Sequence, residues 1–142
     1  MQPKPALTLI WLLLVFSGFD CRVSAQEYND PARFQQQGDR LFQARELEKA
    51  AEAYQQAIKL QPNNAKAYAG LGFAYGAMGR YPEAVEAYQH AIRLKPDFAE
   101  AHYGLGRTYL MLGDRDGALE EYNVLKTLDP KSAEELLENM PR

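Results

Sequence analysis

The sequence predicts an all-α solenoid built from three helix pairs, with a short capping helix at its C-terminal end. A unit of 34 residues recurs three times without a gap, over 31–64, 65–98 and 99–132. Within each unit, apolar residues recur at helical spacing in two stretches that a turn separates. Self-similarity at a fixed period of this length is typical of a solenoid, in which each unit buries its apolar face against the next.

Four positions hold the same kinds of residue in every unit: a glycine in the first helix, an alanine and a tyrosine in the second, and a closing proline. These repeat-defining residues are Gly38, Ala50, Tyr54 and Pro62, then Gly72, Ala84, Tyr88 and Pro96, then Gly106, Ala118, Tyr122 and Pro130. We expect the small residues to let two antiparallel helices approach closely. The tyrosine rings would fill the gap toward the neighbouring unit.

The central unit shows where its helices start and stop. From Tyr68 to Tyr75, apolar residues and Gly72 recur at i, i+3, i+4 and i+7, as on one face of a first helix. Gly79 stands where a helix end requires a positive φ, and Pro82 stands at the start of the second helix, where no N–H is needed. The sequence therefore predicts a helix–turn–helix in each unit.

Two capping boxes are predicted from an acceptor side chain with a glutamate three residues later. Asp97 with Glu100 would begin the first helix of the third unit, and Ser132 with Glu135 would begin a further helix within residues 133–142. The apolar edge of that last helix would be Leu136, Leu137 and Met140. A helix of one or two turns here would shield the exposed face of the last repeat, as solenoids require.

This pattern resembles the tetratricopeptide repeat (TPR), in which a bulky residue, Leu-Gly and Tyr mark the first helix. Ala, Phe or Tyr, Ala and Pro mark the second. The central unit matches at every one of these places, whereas Gln37 and Leu41 depart in the first unit and His102 and Leu125 in the third. The resemblance covers residues 31–132. It implies a right-handed superhelix of three TPR helix pairs that binds a protein or peptide segment on its concave surface.

The resemblance also implies which residues line that groove, since the first helix of each pair forms the inner surface in this family. The predicted peptide-binding residues are Phe42, Lys66, Phe73, Tyr103, Arg107, Leu110 and Met111. A small, apolar and aromatic lining suits an extended segment or a helix with apolar anchors. The alternative is that some of these side chains pack on the solenoid's own termini.

Chaperone-binding members of the family grip a C-terminal carboxylate with lysine, asparagine and arginine. The corresponding residues here are Gln35, Asp39, Gly70, Glu100 and Gly104. This clamp is therefore absent, and we do not expect recognition of Hsp70 or Hsp90 tails.

Residues 1–25 predict a secretory signal peptide, because Lys4 precedes the apolar run 6–16 and small residues at 23–25 suit a signal peptidase. Gln26 would then be the mature N-terminus, followed by a lead-in over 26–30. Retention as a membrane anchor is a weaker alternative, because the apolar stretch falls short of the ~20 residues that span a bilayer.

A lipoprotein signal at Cys21 would require a small residue before it, and Asp20 is neither small nor neutral. We expect an exported protein, periplasmic or secreted. A bacterial envelope is the favoured location, by analogy with the family alone.

The chain after the leader has 14 Lys and Arg against 18 Asp and Glu, with no run of like charge longer than two residues. Nucleic acid is not an expected partner, because binding it requires clustered cations. Since Trp11 and Cys21 both belong to the leader, no disulfide or cysteine metal site is possible in residues 26–142. We expect no cofactor and no metal.

No catalytic motif emerges from the polar residues. We interpret His90 as a surface residue and His102 as part of the core. Adjacent acids such as Glu120 with Glu121 point about 100° apart on a helix, so we interpret them mainly as solvated faces. The sequence indicates no enzyme and no small-molecule substrate.

The leading hypothesis is thus a non-enzymatic interaction module, with a self-associating structural or assembly subunit of an envelope complex as the alternative. An enzyme subunit or part of a biosynthetic complex is a third hypothesis, which would need a co-purifying partner to support it.

Overall fold

The computed structural model describes residues 30–141, in which seven α-helices follow one another and no strand occurs. Their bounds are α1 Pro31–Gln43, α2 Leu47–Leu60, α3 Ala65–Ala77, α4 Tyr81–Leu94, α5 Ala99–Leu112, α6 Arg115–Leu128 and α7 Pro130–Glu138. The predicted signal peptide and the lead-in up to residue 29 lie outside the described residues. Within residues 30–141, no helix has the length and apolarity needed to cross a membrane.

Each 34-residue unit contains one helix pair. Helices α1 and α2, α3 and α4, and α5 and α6 pack within their units, while α2 packs on α3 and α4 on α5. The first helices also contact one another, α1 with α3 and α3 with α5. They therefore lie side by side along one face, and α7 covers the end by packing on α5 and α6. The predicted all-α solenoid with a C-terminal capping helix is confirmed.

The turn inside each pair uses a left-handed backbone at the same place in every unit. Gly79 has a φ of 76° and Gly113 a φ of 78°, which confirms the prediction for Gly79. The first unit has Arg45 there, with a φ of 64°. An L-residue pays a steric cost in this conformation that glycine does not, so the first turn is strained where the other two are not.

Both capping-box predictions are wrong. The N-cap of α5 is Phe98, whose side chain is buried in the core and makes no capping hydrogen bond. Helix α7 begins at Pro130, with Asp129 as its N-cap accepting from the Ser132 N–H at 3.4 Å and from the Ser132 hydroxyl at 2.6 Å. Proline tolerates the first helical position because the N–H it lacks has no partner there, so α7 starts before Ser132.

Tyrosines pack between pairs of glycines at the junctions of the units. A Cβ on Gly38 would lie 2.7 Å from the ring of Tyr54, and one on Gly70 of the next unit only 2.4 Å from it. Gly72 and Gly104 flank Tyr88 in the same way, at 2.8 and 2.4 Å. These glycines thus leave room for the rings of Tyr54 and Tyr88, and Ala50, Ala84 and Ala118 are fully buried.

Candidate functional site

Two adjacent clefts lie along the face that the first helices form. The first, the Arg107 cleft, measures about 340 Å³ and is lined among others by Phe42, Arg45, Phe73, Tyr88, Arg107 and Met111. The second, the Lys66 cleft, measures about 590 Å³ and is lined among others by Asp39, Lys66, Phe73, Lys95 and Glu100. Phe73 of α3 lines both clefts.

The clefts bring together five of the seven side chains that the sequence predicted for the groove. Phe42, Phe73, Arg107 and Met111 come from three units and line the Arg107 cleft, while Lys66 lines the other. The spacing of 34 residues is the reason, because equivalent faces of α1, α3 and α5 stack side by side.

The other two predicted residues, Tyr103 and Leu110, line neither cleft. The Tyr103 hydroxyl donates a hydrogen bond to the Glu135 carboxylate of α7. Burial, together with this hydrogen bond, raises the pKa of Tyr103 above its usual value. Leu110 packs against the core cluster that α7 completes with Leu136. Both side chains therefore pack against α7, which caps the solenoid. The Arg107 guanidinium lies 5.7 Å from the centroid of the Tyr103 ring.

The Arg107 cleft carries positive charge without a counterion. Arg45 and Arg107 are both exposed, and no acidic residue of the described chain lines this cleft. The ion pairs found within residues 30–141 lie elsewhere, such as Lys49 with Glu46 and Arg80 with Glu83. Neither guanidinium of the cleft takes part in them. The cleft therefore combines aromatic side chains with two guanidinium groups that have no acidic partner among the ion pairs of the described residues.

The Lys66 cleft is electrostatically mixed. Lys66 and Lys95 face Asp39 and Glu100 across it. Four of the five positions that correspond to the family's carboxylate clamp fall here, namely Gln35, Asp39, Gly70 and Glu100. Two of them are acidic, which opposes a bound carboxylate.

The Tyr88 hydroxyl opens into the Arg107 cleft without a hydrogen-bond partner in the described part of the chain. In the first unit the equivalent Tyr54 hydroxyl donates to Asp39 at 2.7 Å. The residue equivalent to Asp39 in the second unit is Phe73, whose ring meets that of Tyr88 edge-on, with centroids 5.3 Å apart. Burial raises the pKa of the Tyr88 phenol well above its usual value, and nearby Arg107 offsets this only in part.

Sequence reasoning treated Tyr88 as structural and missed this group. The signal was available, because Phe73 cannot accept the hydrogen bond that Asp39 accepts. At neutral pH the Tyr88 phenol is a neutral donor.

Both histidines contact neighbouring side chains of the fold and lie in neither cleft. His102 is 6% exposed, with Nδ1 2.6 Å from the Glu121 carboxylate and Nε2 2.8 Å from the Pro96 carbonyl oxygen. Glu121 is an exception to the expectation that adjacent acids lie mainly on solvated faces, because its side chain is only 14% exposed and pairs with His102. His90 stacks on Tyr68 at 5.0 Å between centroids. Among residues 30–141, no group of three or more His, Cys, Asp or Glu could hold a metal ion.

The fold and its groove define a helical-repeat protein with an extended face for a ligand. The sequence profile described as TPR repeat matches residues 38–79 and 77–113, and that described as tetratricopeptide repeat matches 99–132. The chain belongs to the tetratricopeptide repeat family.

Solved structures with the same fold include MamA, at 32% identity and a TM-score of 0.68, over 75% of this chain. The chain spans 62% of the length of MamA. The TPR domain of Arabidopsis OM64 aligns at 20% identity and a TM-score of 0.73, over 76% of this chain and 91% of that domain. The TPR2B domain of yeast Sti1, in complex with pHsp70, aligns at 24% identity and a TM-score of 0.72, over 76% and 90%. No curated protein matches the sequence significantly.

Proposed function

We propose that this protein is a non-enzymatic interaction module, exported to the periplasm or cell envelope, that binds a segment of a partner protein in the groove formed by the two clefts. The observation that carries the proposal is the convergence of Phe42, Phe73 and Arg107, from three different units, on one open cleft. Aromatic and arginine side chains in such a position usually supply most of the binding energy of an interface.

Relatives with the same fold bind peptides. One structure holds the first TPR of Spaghetti (RPAP3) bound to the HSP90 peptide SRMEEVD, and the Sti1 domain is in complex with pHsp70. Their identity to this chain, 18% and 24%, supports a shared fold rather than a shared ligand. Because Gln35, Asp39 and Glu100 stand at the clamp positions here, we expect a different partner.

The test uses the full chain as bait for affinity capture from the envelope fraction, followed by titration of the captured partner. We expect Phe73→Ala and Arg107→Ala each to weaken binding by ~2 kcal/mol, which is about thirtyfold in the dissociation constant. Glu86→Ala, an exposed change on α4, is the control and should have little effect. Circular dichroism must accompany the titration, since a folding defect in Phe73→Ala would imitate lost affinity. Unchanged affinity in a folded Phe73/Arg107 double variant would exclude the groove.

Export rests on the composition of residues 1–25. We expect the exported protein to begin at Gln26, which the intact mass of the periplasmic or secreted form would establish. A species that retains Met1, or one that carries a lipid on Cys21, would contradict this expectation.

Self-association is the second candidate. Val124 and Leu128 of α6 are 39% and 37% exposed and line a further open cleft with Pro96. A second copy could cover this apolar surface. Sedimentation of the full chain would distinguish the two candidates, because Val124→Asp should dissociate an oligomer that this surface holds and leave capture of a groove-bound partner unchanged.

A further inference from the structure

The Tyr88 hydroxyl is a hydrogen-bond donor held in place without an acceptor among the side chains and backbone of residues 30–141. The residue is 2% exposed, so its ring cannot turn away to find another partner. No buried side-chain nitrogen or oxygen of the described chain lacks a hydrogen bond, so the Tyr88 hydroxyl, which makes none, must reach solvent. It reaches solvent at the cleft that it lines. An oxygen atom of a ligand that entered the cleft would satisfy this donor.

Gly104 keeps the space above this hydroxyl open. A Cβ at Gly104 would lie 2.7 Å from the Tyr88 hydroxyl oxygen and 2.4 Å from its ring. The absence of a side chain at Gly104 thus leaves room for the Tyr88 ring and keeps the Tyr88 hydroxyl accessible.

Two guanidinium groups stand at the same cleft. Arg107 comes from α5, and Arg45 from the turn between α1 and α2. Arg45 holds a left-handed φ of 64°, where the equivalent turns have Gly79 and Gly113. The lining of the cleft therefore includes the neutral phenols of Tyr88 and Tyr81, two guanidinium groups and no acidic residue. Such a set is complementary to a carboxylate, which accepts charge-assisted hydrogen bonds from arginine.

We propose that the Arg107 cleft binds the carboxylate of an aspartate or glutamate side chain within the partner segment, beside an apolar side chain that packs on Phe42 and Phe73. This inference rests on the proposed function. An internal side chain is favoured over a chain terminus, because the Lys66 cleft lies beside this site on the same face and shares Phe73 with it as a lining residue. A segment lying along both clefts would present its side chains, not its end, to Arg107.

The experiment uses pools of short peptides, acetylated at the N-terminus and amidated at the C-terminus, so that no terminal charge contributes. The central residue is glutamate, aspartate or glutamine, with leucine or phenylalanine beside it and mixed residues further out. We expect the immobilised full chain to retain the glutamate or aspartate pools about tenfold better than the glutamine pool.

Three variants test the residues that carry this preference. Arg107→Gln and Tyr88→Phe should each reduce the preference for the acidic pools while leaving circular dichroism unchanged. Arg115→Gln is the matched control, because it removes an exposed arginine on α6 that lies outside the cleft. It should leave the preference intact.

The outcomes separate this proposal from the function on which it rests. Equal retention of acidic and glutamine pools, lost in Phe73→Ala, would overturn the carboxylate site and leave peptide binding in the groove standing. Selection only for peptides with a free C-terminal carboxylate, in a further arm without amidation, would overturn the internal side chain as the ligand. Retention of no pool at all would contradict the proposed function, and the carboxylate site with it.

Discussion

The junction between the first two units and the junction between the last two are built alike, yet the tyrosine hydroxyl has a protein partner at only one of them. Each holds a tyrosine ring between two glycines, Tyr54 in one and Tyr88 in the other. At the first junction Asp39 accepts the hydroxyl hydrogen bond. At the second junction Phe73 occupies the position equivalent to Asp39. The Tyr88 hydroxyl therefore has no partner among the described residues, and Tyr88 lines the Arg107 cleft. The residue after the packing glycine, Asp39 or Phe73, thus decides whether the tyrosine hydroxyl is hydrogen-bonded within the described protein.

The end of the third unit differs from both. Tyr122 is only partly buried, and Gly106 faces Leu136 of α7 in place of a tyrosine ring, at 2.6 Å from the position of a Cβ. Helix α7 therefore takes the place of a fourth unit. Tyr103 and Leu110 pack against this cap and line neither of the two clefts.

The largest effect should come from removing the space that the ring needs. In Gly104→Ala the new Cβ would lie 2.4 Å from the Tyr88 ring, and Gly70→Ala would crowd Tyr54 equally. We expect each to lower the free energy of unfolding by ~1–3 kcal/mol, the usual cost of overpacking a tight site. Chemical denaturation with urea measures it.

Gly76→Ala is the matched control, because nothing lies within 4 Å of a Cβ there. Within helix α3 alanine should stabilise by about 0.5–1 kcal/mol relative to glycine. A Gly104→Ala variant as stable as Gly76→Ala would show that Tyr88 does not occupy the space described.

The second-largest effect should come from removing the tyrosine hydroxyls, and it should differ between the two junctions. Tyr54→Phe removes the hydrogen bond to Asp39, and we expect a loss of about 1 kcal/mol in unfolding free energy. Tyr88→Phe removes a group with no partner in the protein and should change stability by much less. Urea unfolding of the pair measures the difference directly. Equal losses would mean that the Tyr88 hydroxyl has a partner in the folded protein.

The smallest effect concerns Arg45. Replacing it by glycine relieves a left-handed backbone that costs an L-residue ~1–2 kcal/mol. The greater freedom of glycine in the unfolded chain offsets part of this gain, by ~0.5–1 kcal/mol. We expect Arg45→Gly to raise the free energy of unfolding by about 0.5 kcal/mol, while the reverse kind of change, Gly79→Ala, lowers it. Thermal unfolding of both variants provides the measurement, and destabilisation by Arg45→Gly would show that the arginine side chain makes a structural contact.

Local signals predicted much of this molecule. The 34-residue period and the spacing of apolar residues predicted the three helix pairs, since these patterns depend on contacts that recur within and between neighbouring units. Gly79 and Pro82 marked a turn correctly, because backbone geometry at such positions depends on the residue itself. The resemblance to the tetratricopeptide repeat, and not a local signal, placed Phe42, Phe73 and Arg107 on one face.

The remaining features depend on residues distant in the sequence. The choice of Asp129 over Ser132 as the N-cap of α7, the pairing of His102 with Glu121, and the commitment of Tyr103 to Glu135 all follow from how α5, α6 and α7 pack. The sequence by itself determined the repeat, the helices and the residues available to the groove. Only the tertiary structure decided which side chains pack on α7 and which tyrosine hydroxyl has no partner in the described chain. The reason is that hydrogen-bond partners depend on distances between helices that no local pattern specifies.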